Sequence, residues 1–143
     1  TGGGGPLIRG EDAFVFGYRD AEEQAQYHSQ PLPPSMGACD LATVRELGVE
    51  KAVRIAVNRL TRTGLDGFFI HLDADVLSDE IMPAVDYRLP GGLSWDELRI
   101  TLRHALDSGR AVGLEVAIYN PNLDADGAAG RGLTHTLVQA LTT

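Results

Sequence analysis

One stretch, His71-Leu72-Asp73-Ala74-Asp75, sets an imidazole and two carboxylates at alternate positions. On a strand, residues i and i+2 project to one face about 6.6 Å apart, so Asp73 and Asp75 would face a common point. Two carboxylates held at a water-poor strand end repel one another and require cations, either metal ions or Arg and Lys. Carboxylate oxygens suit Mg²⁺ and Mn²⁺, and added imidazoles shift the preference to Mn²⁺ or a later transition metal. The same pair also suits plainer work, capping a turn or the next helix. His71 shares the parity of Asp73 and is placed either to meet a carboxylate behind the ligands or to serve as a structural histidine.

The elements around this stretch must position it. Ala13-Phe14-Val15-Phe16-Gly17 reads as a buried strand. Residues 18–37, with Pro31, Pro33 and Pro34, read as loop. Val49, Val53, Ala56, Val57 and Leu60 recur at helical spacing opposite Lys51, Arg54 and Arg59, and Gly64 is expected to end that helix. Gly67 to Leu72 is a continuous apolar strand, the pattern of a strand covered on both faces. Ser94-Trp95-Asp96-Glu97 forms a capping-box signature before Leu98, Leu102, Ala105 and Leu106, with Gly109 as the C-cap. Ala111 to Tyr119 reads as a third strand, broken at Asn120-Pro121, and a last helix presents Leu133, Leu137, Val138 and Leu141. Strand and helix alternate three times. That order implies a mainly parallel sheet sandwiched between helices, with ligand sites at the carboxyl ends of the strands.

Composition narrows the classes of function. Twenty acidic against twelve basic residues give a formal charge of −8, the wrong sign for binding a phosphate backbone, so no nucleic acid partner is expected. No apolar run approaches the ~20 residues of a spanning helix, so no membrane partner is expected either. Cys39 is the only cysteine; it cannot form an intramolecular disulfide, reads as a small hydrophobe and suits a reducing cytoplasm. His28, His104 and His135 show no paired ligand spacing and read as structural or solvated. Thr1 is not a natural start, which points to a cut chain, and residues 1–143 are expected to form one part of a single domain.

Three landmarks in order resemble the ureohydrolase family of arginases, agmatinases and formiminoglutamases. His71, Asp73, Asp75 and Asp79, followed by a Pro-containing loop and Pro90-Gly91-Gly92-Leu93-Ser94, match the family's strand-end aspartates and its Pro-Gly-Gly-Leu run. Gly113 to Pro121 resembles its acidic strand ending in Asn-Pro, and Gly17-Tyr18-Arg19-Asp20-Ala21-Glu22 resembles a third landmark. The resemblance implies an arginase-like three-layer α/β/α fold of which this chain is the C-terminal part. It implies a binuclear Mn²⁺ enzyme, two ions per complete site, that hydrolyses a C–N bond of a small guanidino or amidino compound. Asp73 and Asp75 would bind and bridge the metals, and Glu22 would meet the distal end of the substrate.

Two departures qualify what is carried over. Where arginases place a guanidinium-binding Glu two residues ahead of Asn-Pro, this chain has Ile118. Glu115, the other substrate-binding candidate, lies three residues earlier and so on the opposite strand face unless the strand bulges. The family's remaining metal ligands and its proton-shuttling His lie upstream of the matched segment, so no catalytic residue is assigned within this chain. Two carboxylates supply too little charge and too few atoms for two Mn²⁺, and the chain alone is expected to be inactive, completed by an upstream segment of the same protein or by homo-oligomerisation. Two other readings stand beside this one: a non-catalytic, truncated or degenerate ureohydrolase-like assembly protein, and a glycosyltransferase using Asp-x-Asp to hold Mn²⁺ and a sugar nucleotide.

Overall fold

A computed structural model describes residues 7–62 and 64–142. Strand β1 (Phe14–Phe16) leads through helix α1 (Ala21–Gln26) to strand β2 (Gly37–Cys39) and helices α2 (Leu41–Leu47) and α3 (Val49–Leu60). Strand β3 (Phe68–Asp73), helix α4 (Trp95–Asp107), strand β4 (Ala111–Ala117) and helix α5 (Ala128–Leu141) complete the order. All pairing between these strands is parallel, β1 with β2 and β3 with β4, and the described residues place them in two separate two-stranded ladders.

Most elements start and stop for local reasons. The Ser94 hydroxyl accepts from the Glu97 N–H and the Glu97 carboxylate accepts from the Ser94 N–H, closing the capping box of α4. Asp40 caps α2 by accepting from the Thr43 N–H. Helix α3 ends at Leu60 with Thr61 as its C-cap, where the Thr61 hydroxyl and N–H both donate to the Val57 carbonyl. Gly64 therefore lies past the end, not at it.

The segment read as loop holds more order than its prolines suggest. It contains α1, and the short β2 begins at its end, followed at once by α2. Gly37 sits under the Phe14 ring, where an added Cβ would lie 2.3 Å from Phe14 Cδ2, so the strand depends on a residue that carries no strand propensity. The third strand is also shorter than expected, ending at Ala117 because Ile118 turns to φ +68°.

Along β3, Phe68 and Leu72 are buried, whereas Phe69, of the opposite parity, is 58% exposed. The apolar run of β3 is continuous as expected, but among the described residues only one of its faces is buried and Phe69 on the other is exposed. In α5 the buried stripe is Ala129, Leu133, Thr136 and Ala140, while Val138 and Leu141 are exposed, a rotation of the expected stripe. The largest fully buried side chains include Leu77, Met82 and Leu93, all from the connection between β3 and α4. That connection is core, and its aliphatic side chains tie the carboxyl end of β3 to the helices. Among the described residues no helix is long and apolar enough to cross a membrane.

Candidate metal-facing site

The two aspartates meet at a turn rather than along a strand. Asp73 is the last residue of β3 and caps the 3₁₀ turn Ala74–Val76, its Oδ1 accepting from the Asp75 N–H at 3.3 Å. The turn-capping role and the close approach of two carboxylates coexist, because the cap folds Asp75 back toward Asp73. Burial, the Asp73 charge and a hydrogen bond with Asp73 push the Asp75 carboxyl up from the usual range to about 6. Asp20 adds negative charge in the same direction, and the Arg19 guanidinium opposes it.

Arg19 organises the surroundings. Its guanidinium donates to the carbonyls of Asp75 at 2.9 Å, Leu89 at 2.9 Å, Pro90 at 3.1 Å and Leu77 at 3.3 Å. One side chain thereby joins the end of β1 to the turn carrying Asp75 and to the loop carrying Pro90. The Pro-Gly-Gly-Leu run packs on the same turn. Leu93 exchanges backbone bonds with Val76 and Ser78, and a Cβ on Gly92, at φ +124°, would lie 2.4 Å from the Leu77 carbonyl carbon. Only glycine allows that approach. Arg45 donates to the Gly92 carbonyl at 2.6 Å and pairs with Glu97.

The Asn-Pro landmark closes the third side. The Asn120 amide donates to Asp86 Oδ1 at 2.8 Å and its backbone N–H to the Ala84 carbonyl at 2.8 Å, holding the end of β4 on the same connection. Asp79 pairs with Arg88 at 3.0 Å, a structural use of that aspartate.

The other candidates lie elsewhere. Glu22 is exposed in the first turn of α1, and the cavity that reaches Asp73 and Asp75 is lined by Asp20 and Gln24 instead. Glu115 stands opposite His71 in the β3–β4 register and binds its Nδ1 at 2.7 Å, with both side chains 57% exposed. The carboxylate is paired on the outer sheet face, so His71 has its carboxylate partner, but that partner is not Asp73. Ile118 is 44% exposed. Cys39 is buried, and burial pushes its thiol pKa up, consistent with an inert apolar residue. Sequence reasoning missed the positioning role of Arg19 and the charge of Asp20; both belonged to a recognised landmark, yet nothing in their spacing indicates which carbonyls a guanidinium will meet.

Among the described residues no group of three or more His, Cys, Asp or Glu side chains is gathered to hold a metal ion. The donor chemistry of Asp73 and Asp75 fits a hard divalent cation, and the Asp75 carboxyl is raised first by burial and then by the neighbouring Asp73 charge. The residues present therefore fit part of such a site, not a whole one.

Residues 5–142 match the model of the arginase family. The arginase of Agrobacterium fabrum is 30% identical over 95 residues, covering 66% of this chain and 29% of that protein. The crystal structure of Bacillus subtilis arginase superposes with a TM-score of 0.81 at 24% identity, over 99% of this chain and 48% of that one. A Trypanosoma cruzi formiminoglutamase solved with Mn²⁺ gives a TM-score of 0.67 at 20% identity, over 83% of this chain and 38% of that one. The chain thus spans less than half the length of these relatives, and its three-layer α/β class is that of its structural neighbours.

Proposed function

The chain belongs to the arginase family, and from that premise we propose that it is the C-terminal part of a metal-dependent ureohydrolase that cleaves a C–N bond of a linear guanidino or amidino compound. Residues 1–143 are read as one part of a single domain. The observation that carries the reading is the Asp73–Asp75 pair at the carboxyl end of β3, where burial and then the Asp73 charge raise the Asp75 carboxyl to about 6. Such a pair is stabilised when a cation arrives, and Asp73 and Asp75 are the residues that would hold one. The metal, Mn²⁺ by the resemblance and two ions in a complete site, would supply Lewis-acid polarisation and an activated water.

The chain's own residues prepare that binding. Arg19 fixes the carbonyls of the turn, Gly92 and Leu93 hold the turn from behind, and Asp73 and Asp75 both line the cavity. Preorganisation of this kind spares the site from reorganising when charge develops. Two carboxylates leave most coordination positions unfilled, so the 143-residue chain alone is inactive in this reading, and the remaining ligands come from an upstream segment or a partner chain. A cytoplasmic setting and a homo-oligomer are parts of the same proposal. A degenerate, non-catalytic relative is the second reading, favoured by Ile118 at the guanidinium position.

Metal analysis and activity of complemented enzyme test the proposal. The isolated chain should retain less than about one tightly held Mn²⁺. In a complete or reconstituted form, Asp73→Asn or Asp75→Asn should weaken Mn²⁺ binding by about a hundredfold or more, against severalfold or less for Glu22→Gln. Equal losses in all three variants, or two tightly held ions on the isolated chain, would overturn the assignment. Metal loading without hydrolysis of any linear amidine would favour the degenerate relative.

A further inference from the structure

The chain just beyond β4 is built against a second segment, and their pairing brings a carboxylate to the place where Ile118 supplies none. Val85 forms an antiparallel bridge with Tyr119, and the Asn120 N–H donates to the Ala84 carbonyl at 2.8 Å. In antiparallel register these partners set Ala84 opposite Asn120 and Asp86 opposite Ile118, with facing Cα atoms about 5.5 Å apart. One residue back, Ala117 is the register partner of Asp73. Asp86 and Asp73 thus stand against consecutive residues at the end of β4, and their Cα atoms lie within roughly 14 Å of one another. The chain bends at Asp86 and Tyr87, and Tyr87 lines the cavity that also reaches Asp73 and Asp75.

The Asp86 side chain is held in one direction. Asn120 Nδ2 donates to Asp86 Oδ1 at 2.8 Å, and the orientation of that amide follows from its own Oδ1, which accepts from the Asn122 N–H at 3.0 Å. Tyr119 ties the same segment to the start of α5 by donating to Asp124 at 2.8 Å. Asp86 is exposed and forms no ion pair among the described residues, so its Oδ2 stays open to a donor. Other carboxylates around β4 are committed. Glu115 binds His71 on the outer sheet face, Asp79 pairs with Arg88, and Asp124 accepts from the N–H groups of Ala129 and Gly130 as well as from Tyr119. An amidinium or guanidinium presents planar N–H donors, and a carboxylate is the acceptor that matches them.

We propose that Asp86 is the specificity-determining carboxylate of this chain, meeting the cationic head of a linear amidine where the side chain of Ile118 offers no acceptor. The inference rests on the ureohydrolase reading. Asp86 reaches from the facing segment, and its side chain is one methylene shorter than that of glutamate. The head is therefore seated at a different place from the one that Ile118→Glu would define. Arginine stays a poor substrate of the Ile118 form, and an amidine whose head fits beside Asp86 is favoured. Charge is the property that acts, and it can be removed alone, because Asp86→Asn still offers an oxygen to the Asn120 amide.

The probes are acetamidinium, a cationic head without a tail, and acetamide, its neutral counterpart, titrated by calorimetry into the complemented Mn²⁺-loaded protein at low ionic strength. Acetamidinium should bind about tenfold or more tighter than acetamide, and Asp86→Asn should bring the two within about twofold at unchanged Mn²⁺ content. Asp96→Asn makes the same change of net charge on the exposed side of α4 and should keep the preference. Adding Ile118→Glu to Asp86→Asn should restore a preference for the cation. Asp86→Gln is the second neutral form, used if Asp86→Asn does not fold. Of agmatine, guanidinobutyrate and formiminoglutamate, the best substrate should lose about a hundredfold or more in kcat/KM with Asp86→Asn. No preference for the cation in the parent, a preference that survives the neutral variants, or an unchanged kcat/KM would overturn the proposal. A protein that shows the Asp86-dependent preference yet hydrolyses none of these compounds supports the role of Asp86 and fails the ureohydrolase reading instead.

Discussion

The carboxyl ends of β3 and β4 lie side by side and are built to different standards. Beyond β3, the turn holding Asp73 and Asp75 is fixed by Arg19, by the backbone of Leu93 and by Gly92 packed against Leu77. Beyond β4, Ile118 is exposed and left-handed, a conformation that a β-branched residue enters at a cost of about 1–2 kcal/mol. Asn120 anchors the chain again two residues later. On the proposed reading, the end of β3 carries the aspartates that would hold metal together with their support, whereas the end of β4, which would meet the substrate's cationic head, carries an aliphatic side chain. The difference teaches that, if the proposed function holds, metal binding and substrate choice rest on separate strand ends and should be alterable one without the other.

Substrate choice offers the largest effect. A pocket that pairs a guanidinium depends on a carboxylate, and an unpaired buried cation costs several kcal/mol. A complemented Ile118 enzyme should process arginine with kcat/KM about a hundredfold or more below that of its Ile118→Glu variant, at equal Mn²⁺ content. Arginine, agmatine, guanidinobutyrate and formiminoglutamate should be assayed side by side. Efficient arginine hydrolysis by the Ile118 form would erase the contrast between the two strand ends.

The support beneath Asp75 comes next in size. Arg19→Met keeps the length of the side chain and removes the donors that reach four carbonyls, and charge-assisted bonds of this kind contribute about 1.5–3 kcal/mol each when fully buried. Part of that group is wet, and water replaces some of the lost bonds. A net loss of about 2 kcal/mol in urea unfolding is expected, against less than about 0.5 kcal/mol for Arg54→Met on the exposed side of α3. Equal losses would show that the turn holding Asp75 does not depend on Arg19.

How much of this was legible in the sequence differs between the same two regions. The parallel α/β order followed from apolar runs and from the capping box at Ser94, since both signals are local. The pairing of Asp73 with Asp75 was legible as proximity, but its form was not, because a turn cap and a strand alternation give the same i, i+2 spacing. Leu77, Met82 and Leu93 could not be recognised as core from a segment without periodicity; their burial comes from backbone bonds between Val76–Ser78 and Leu93, far apart in sequence. Ile118 was visible as the wrong residue type, while its positive φ was not. Glu115 was read as facing away from Ile118 unless β4 bulged, and the bulge near Phe68 lies too early to reorient it.

Protonation sharpens the comparison from the carboxylate side. The folded Asp75 pKa, about 6, lies above its ordinary 3.8, so between roughly pH 4 and pH 6 the folded chain holds more protons than the unfolded one. Stability therefore falls as pH rises through that window, is unaffected by this group below it and carries the full penalty above it. Asp75→Asn removes the penalty. In the metal-free chain it should leave stability at pH 4 unchanged and raise it at pH 7 by about 1 kcal/mol, discounted for the part of the group that water screens. A variant as stable as the parent at pH 7, or a stability that climbs from pH 4 to pH 7 only in the parent, would contradict the penalty that burial and the Asp73 charge place on the Asp75 carboxylate.

The smallest effect isolates the backbone of Ile118. Its φ of +68° puts the Cβ against the following carbonyl, a contact that glycine lacks. Ile118→Gly relieves that strain but gives back freedom to the unfolded chain, about 0.5–1 kcal/mol, and removes the partly covered apolar surface of a side chain that is 44% exposed. The terms nearly cancel, leaving a change within about 0.5 kcal/mol of zero. Ile118→Asn tolerates the left-handed region without the full entropic loss and should be at least as stable as the Gly variant. Ile118→Val keeps the branched Cβ and should gain nothing, which makes the three variants a test of conformation rather than of size. Loss of stability in both the Gly and Asn variants would show that the side chain of Ile118 contributes more than its backbone costs, and that the β4 end is as deliberately packed as the turn at Asp75.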